Sequence, residues 1–290
     1  MRIPHRFLQI IGCLAVVLVI QACSAIRLAY NQAPDLAYWW MDGYVDFNYA
    51  QSPKVRDELA KLFAWHRANE LPKLAALLQK AQSQAPATIN SAQACTLFDQ
   101  ARGLFTNVSE RALPPLAEFV LTMTPEQIDH LQAKYKKSNE EYQRDFMGSN
   151  AAERNAKRLK RAVERSERFY GTLDEAQLTA IKRSIEQSSF DAQRSFAERI
   201  RRQGDALQML RKLQADKATA PQALEALRAY TQRALQSPDA RYRVYADKLV
   251  QEGCQSFADV HNATTPEQRV KMVEMLKGYE GDVRVLALNK

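Results

Sequence analysis

The sequence predicts an all-α protein, a bundle or array of long amphipathic helices with no significant sheet. Three observations predict it. Glycine is scarce, with nine in 290 residues. Nearly every segment after residue 50 spaces its apolar residues three, four or seven apart, the helical period, rather than in alternation. Four polar helix-start motifs also punctuate the chain at regular intervals.

Taken in order, the first long helix is expected from Ser52 to about Gln82, bent at Pro72 because proline removes a backbone donor and crowds the preceding turn. A second is expected from about Ser91 to Ala112, stopped by Pro114-Pro115. The clearest pattern runs Leu178, Ile181, Ile185, Ala192, Phe196, Ile200 and Leu207, with Lys182, Arg183, Glu186, Arg194 and Glu198 elsewhere on the wheel. It predicts one long amphipathic helix. Further helices are expected from Pro221 to Leu235 and from Asp239 to about Val260. The closing DVRVLALNK fits either a helix end or a short extended tail.

The helix starts are TPEQ at Thr124, DEAQ at Asp174, TAPQ at Thr219 and TPEQ at Thr265. Each places a capping residue three positions before a glutamine. The cap oxygen accepts an exposed first-turn amide while the glutamine reaches back to the cap's own N–H, so two unpaired donors are covered. Their spacings of 50, 45 and 46 residues raise a repeated helical unit, with coincidence as the rival. Met123-Thr124-x-x-Gln127, Leu173-Asp174-x-x-Gln177 and Thr264-Thr265-x-x-Gln268 resemble the Leu-Thr-x-x-Gln motifs of small helical periplasmic chaperones of the Spy and CpxP type, though each departs from Leu-Thr in its leading pair. That resemblance concerns helix starts and implies ATP-independent client binding.

The N-terminus carries an address. Arg2, His5 and Arg6 precede an apolar run from Phe7 to Ile20, the layout of a secretory leader. Ile20-Gln21-Ala22-Cys23 resembles a bacterial lipobox, which implies cleavage after residue 22 and acylation of Cys23, with Ser24 implying delivery to the outer membrane. An ordinary leader with an incidental cysteine is the alternative. Several acyl chains hold a protein on a bilayer where one does not. The expected organisation is a lipoprotein signal peptide over 1–22, a lipidated aromatic-rich segment over 23–50 and an all-helical periplasmic domain over 51–290. The stretch RLAYNQAPDLAYWWMDGYVDF is similar to a family of predicted proteobacterial lipoproteins whose shared domain has no assigned function.

Cysteines sharpen the picture. With Cys13 in the leader and Cys23 acylated, Cys95 and Cys254 remain, and an even remainder in an oxidising compartment argues for a disulfide. Two buried small hydrophobes are the alternative. Removal of the leader's arginines takes the formal charge from +8 to +6, which either favours lipid head groups, lipopolysaccharide phosphates or acidic polypeptides as partners rather than nucleic acid, or is merely a soluble surface.

Two constellations could carry function. The rings of Tyr30, Tyr38, Trp39, Trp40, Tyr44, Phe47 and Tyr49 either lie against a membrane or pack into the core; the core is the expectation, because seven rings are much surface to leave wet. A basic run supplies Arg154, Lys157, Arg158, Lys160, Arg161, Arg165 and Arg168, which form either an anion-binding patch or a solvated helix face. No catalytic motif, zinc spacing or phosphate loop is present; Glu126 and His130 lie one helical turn apart, but such a pair is common by chance and Glu126 belongs to a helix start. The expectation is therefore a non-enzymatic protein without a cofactor. It is anchored to the outer membrane through Cys23 and binds unfolded envelope proteins or a dedicated envelope partner.

Overall fold

The computed structural model describes residues 25–148 and 150–288. Cys23 and the leader over 1–22 lie outside these residues. Among those described, every regular element is an α-helix and no strand occurs. The helices are α1 (Ala33–Val45), α2 (Gln51–Asn69), α3 (Leu71–Gln84), α4 (Ser91–Val120), α5 (Pro125–Phe146), α6 (Ala151–Tyr170), α7 (Glu175–Glu186), α8 (Ala192–Ala215), α9 (Ala220–Leu235), α10 (Ala240–Asn262) and α11 (Pro266–Leu288).

The central element is α4, which packs against α2, α3, α9 and α10. One core cluster joins its C-terminal half, through Leu113, Ala117 and Val120, to Ile128 and Leu131 of α5, Leu207, Leu210 and Leu213 of α8, and Leu227 of α9. A second joins Tyr170, Leu173, Ile181 and Ile185 to Val260, Met272 and Leu276. Burying one such side chain contributes about 1.5–3 kcal/mol, so these two clusters are the main source of cohesion. Between them, Cys95 of α4 and Cys254 of α10 are joined by a disulfide, packed with Ile89, Ala94 and Ala258. Phe98, Phe105 and Phe257, on the same helix faces by spacing, stay exposed.

Three sequence expectations change. The helix from Ser91 does not stop at Pro114-Pro115 but continues to Val120. Leu113, Ala117 and Val120 flank the prolines and are all buried, so tertiary packing outweighs the lost backbone donors. The single helix expected over 178–207 is two, α7 and α8. Asp191 ends the gap by accepting from the N–H groups of Gln193 and Arg194, while Glu252 accepts from Ser189 N–H and the Tyr245 hydroxyl from Asp191 N–H. The aromatic segment splits as well: Tyr38 and Phe47 are buried, but Trp39, Trp40 and Tyr49 are exposed, because α1 rests on α2 and α5 along one face only. The bend at Pro72 is a break between α2 and α3, and the tail is helical to Leu288.

The helix starts assemble in pairs. Gln127 closes a capping box with Thr124, and Gln51 closes one with Asn48. Gln51 Nε2 donates to Gln127 Oε1 at 3.1 Å and Gln127 Nε2 to Gln51 Oε1 at 2.7 Å. Each Nε2 also donates to a carbonyl two residues before the partner's cap, Thr122 for Gln51 and Asp46 for Gln127. The same arrangement recurs with Gln177 and Gln268, joined at 2.6 and 3.1 Å, each reaching the carbonyl two residues before the other's cap, Ala263 and Thr172. All four glutamines are buried, and each amide has its donors and acceptor engaged. Asp46 adopts a left-handed φ of 59° at the end of α1, which is where its carbonyl meets Gln127.

The box at Thr219 stands apart. Gln222 accepts from Thr219 N–H, yet the pair is exposed and meets no second box. A regular unit of 45 to 50 residues is therefore not what the boxes build; they build two knots, linking α2 to α5 and α7 to α11.

Candidate functional site

Helix α6 is strongly two-sided. Leu159, Ala162, Val163 and Phe169 pack on the second core cluster, and Tyr170 is buried within it. At 100° per residue Arg154, Lys157, Arg158, Arg161, Arg165 and Arg168 fall outside that face, Arg158 and Arg165 on its flank one turn from Ala162 and Phe169 and the others opposite it. The first four line a cavity of about 480 Å³ shared with the end of α5 and the start of α8. Arg165 and Arg168 extend the stripe beyond it, and Lys160 stands off the stripe, 4.0 Å from Glu164.

Two phenyl rings complete the groove. The Arg158 guanidinium lies 5.0 Å from the centroid of Phe190, and that of Arg161 lies 5.1 Å from the centroid of Phe146. Arg158 donates to Asn155 Oδ1 and to the carbonyl of Ile185, both at 3.4 Å, which fixes its direction. Partial burial lowers its pKa, with Tyr245 and Glu252 opposing; an arginine nonetheless stays charged at neutral pH. Asp145 and Asp191 also line the groove, the latter engaged as the cap of α8. The arrangement can hold an anionic group beside an apolar one, with cation–π contacts orienting the guanidinium planes.

Sequence reasoning supplied the basic residues but missed Phe146, Phe190 and Asp191. Phe146 ends α5 and Phe190 lies in the gap before α8, so neither belongs to the periodicity of α6. The Asp-x-Gln start at Asp191 is the signal for it, and the apolar period that continues through the gap hides it.

The histidines serve the fold. His261 is buried, its Nε2 bonded to the carbonyl of Ala87, which sets Nδ1 as acceptor for the Tyr170 hydroxyl at 2.9 Å. Burial lowers its pKa, against the opposing pull of that carbonyl, and raises that of Tyr170. His66 receives the Tyr30 hydroxyl at Nδ1 when Nδ1 is unprotonated, and His130 faces the carbonyl of Gly43. Among the described residues no group of three or more His, Cys, Asp or Glu could hold a metal ion. No helix of the described residues is long and apolar enough to cross a membrane.

Fold and groove together define an all-α helical array, knotted at paired helix starts and carrying a basic, ring-lined groove. Its sequence places it more narrowly. The chain belongs to a family of unknown function (DUF6279), whose profile matches residues 43–243. That span holds the groove and the first knot but ends before Cys254 and the Thr265 box. No curated protein and no solved structure matches the chain.

Proposed function

We propose that this chain is a lipoprotein, acylated at Cys23 and held on the outer membrane facing the periplasm, that binds clients without ATP and without catalysis. The observation that supports it most is the groove at α5, α6 and α8, where Arg158 and Arg161 sit over phenyl rings. Such a surface suits acidic, partly apolar segments of unfolded envelope proteins, with charge supplying capture rate and the rings supplying dwell time. The Spy- and CpxP-like helix starts lend it secondary support.

The test is suppression of aggregation of several unrelated unfolded proteins by the chain lacking residues 1–22, with albumin of equal mass as control. Charge reversal at Arg154 and Arg161 should abolish suppression while leaving helical content intact. Unchanged suppression by that variant would remove the groove from the mechanism. A second reading is a scaffold for one dedicated envelope partner, which a fixed groove built from α5, α6 and α8 also suits. Crosslinking in intact cells decides between them, since a chaperone yields many partners and a scaffold one.

A further inference from the structure

The helical segment from Ala25 through α1 has two apolar sides, and the fold covers one. Gln32 N–H donates to the Leu28 carbonyl and Leu36 N–H to that of Gln32, so the helical path carries across Pro34. Its inner side holds Tyr30, Tyr38, Met41 and Val45, which pack into core clusters. Its outer side presents Leu28, Leu36, Trp39 and Trp40, which are 64, 59, 61 and 67% exposed. Helical spacing puts Gln32 and Gly43 on the same side. Asp35 at the margin is paired with Arg56 at 3.0 Å.

This segment is fixed to the body. Arg27 pairs with Asp282 at 3.1 Å, Arg67 donates to Asn31 at 2.8 Å, and Tyr30 bonds His66 at 2.6 Å. Ala25, where the described residues begin, follows Cys23 by two positions in the sequence. From Ala25 to Trp40 the helix runs about 22 Å, a length that lies along a membrane surface.

We propose that the outer side of this segment, Leu28, Leu36, Trp39 and Trp40, lies in the interfacial layer of the bilayer beside the lipid anchor, as a second membrane contact that sets the orientation of the domain. The proposal rests on the anchor reading for its geometry. Tryptophan suits a boundary where one edge of the ring is dry and the other hydrogen-bonds. An amphipathic helix beside an acyl anchor adds a second signal to the first.

The experiment uses the full-length lipoprotein purified from membranes and carrying Trp65→Phe, so that Trp39 and Trp40 are the remaining tryptophans, in phosphatidylethanolamine–phosphatidylglycerol vesicles with or without brominated acyl chains. The expected result is loss of tryptophan fluorescence in the brominated lipid and protection from aqueous iodide, as for rings at the membrane–water interface. Mass spectrometry of the N-terminus on the same sample reports the anchor independently. An acylated Cys23 with rings open to iodide and untouched by bromine overturns the orientation and leaves the anchor standing. A bare Cys23 with quenched rings removes the anchor and upholds the face. Rings shielded without vesicles, in a chain retaining its leader, overturn the proposal in favour of the Phe7–Ile20 run as occupant.

Discussion

At the residue scale, the buried glutamines decide most. Gln177 is fully buried and engages its own cap, the Ala263 carbonyl and Gln268 at once. Truncation to alanine would strip the Gln268 amide of the two bonds it shares with Gln177 and leave the Ala263 carbonyl and the Asp174 N–H without the glutamine that meets them. Leaving a buried polar group unsatisfied costs about 1–3 kcal/mol. Gln177→Ala should therefore lower stability by about that much in urea unfolding, and the cost of adding Gln268→Ala should fall well short of additive. Additive losses would show that the two amides do not act as a unit. Two of the knots' members were legible as capping boxes through Thr124 and Asp174, and a third through Thr265. Asn48-x-x-Gln51 carries the same signature but sits where aromatic residues dominate, so the eye follows the rings. That the boxes meet in pairs was not legible, because partners lie 76 and 91 residues apart and no local period encodes such a meeting.

At the scale of elements, boundaries depended on what packs beside them. The helical period from Leu178 to Leu207 persists through the Ser188–Asp191 gap, so periodicity alone cannot reveal the break. The Asp191 cap and the contacts from Glu252 and Tyr245 on α10 make it, and the latter belong to a helix far along the chain. Asp191→Ala removes a side-chain acceptor from two first-turn amides of α8, a change that costs about 1 kcal/mol at a typical N-cap. Thermal unfolding should register that loss, and Asp191→Asn should recover most of it. No change with alanine would mean that Tyr245 and Glu252 hold the gap unaided. The Pro114-Pro115 pair illustrates the converse. Local chemistry argued for a stop, and burial of Leu113, Ala117 and Val120 carried the helix on. The exposed Trp39 and Trp40 also reverse the expected core placement. Rings count as core only when a neighbour covers their side of the helix, and for α1 that side is the one holding Tyr38.

For the whole molecule, the disulfide between Cys95 and Cys254 spans 159 residues and joins the central helix to the late ones. The chain-entropy treatment credits a loop of this length with about 5 kcal/mol, and native bridges of small secreted domains typically contribute about 2–5. Cys95→Ala with Cys254→Ala should lower the denaturation midpoint by the equivalent of that range, and a reductant should have no further effect on the double variant. Equal midpoints for both proteins would mean that packing of Ile89, Ala94 and Ala258 suffices. Cysteine parity made the bridge legible, whereas the groove was only half legible: its charges come from one helix and its rings from two other places in the chain.

The ion pair between Arg27 and Asp282 has a mechanical consequence. Asp282 is buried and its Oδ2 has no hydrogen-bond partner, so the carboxylate relies on one arginine from the opposite end of the chain. Force applied at the first residues thus enters the body near the final helix, which packs closely along α3. If Cys23 is the anchor proposed above, pull on it would reach the body first at the Arg27–Asp282 pair and next at the Tyr30–His66 and Arg67–Asn31 bonds, so those three contacts and not the unravelling of an end would set where rupture begins.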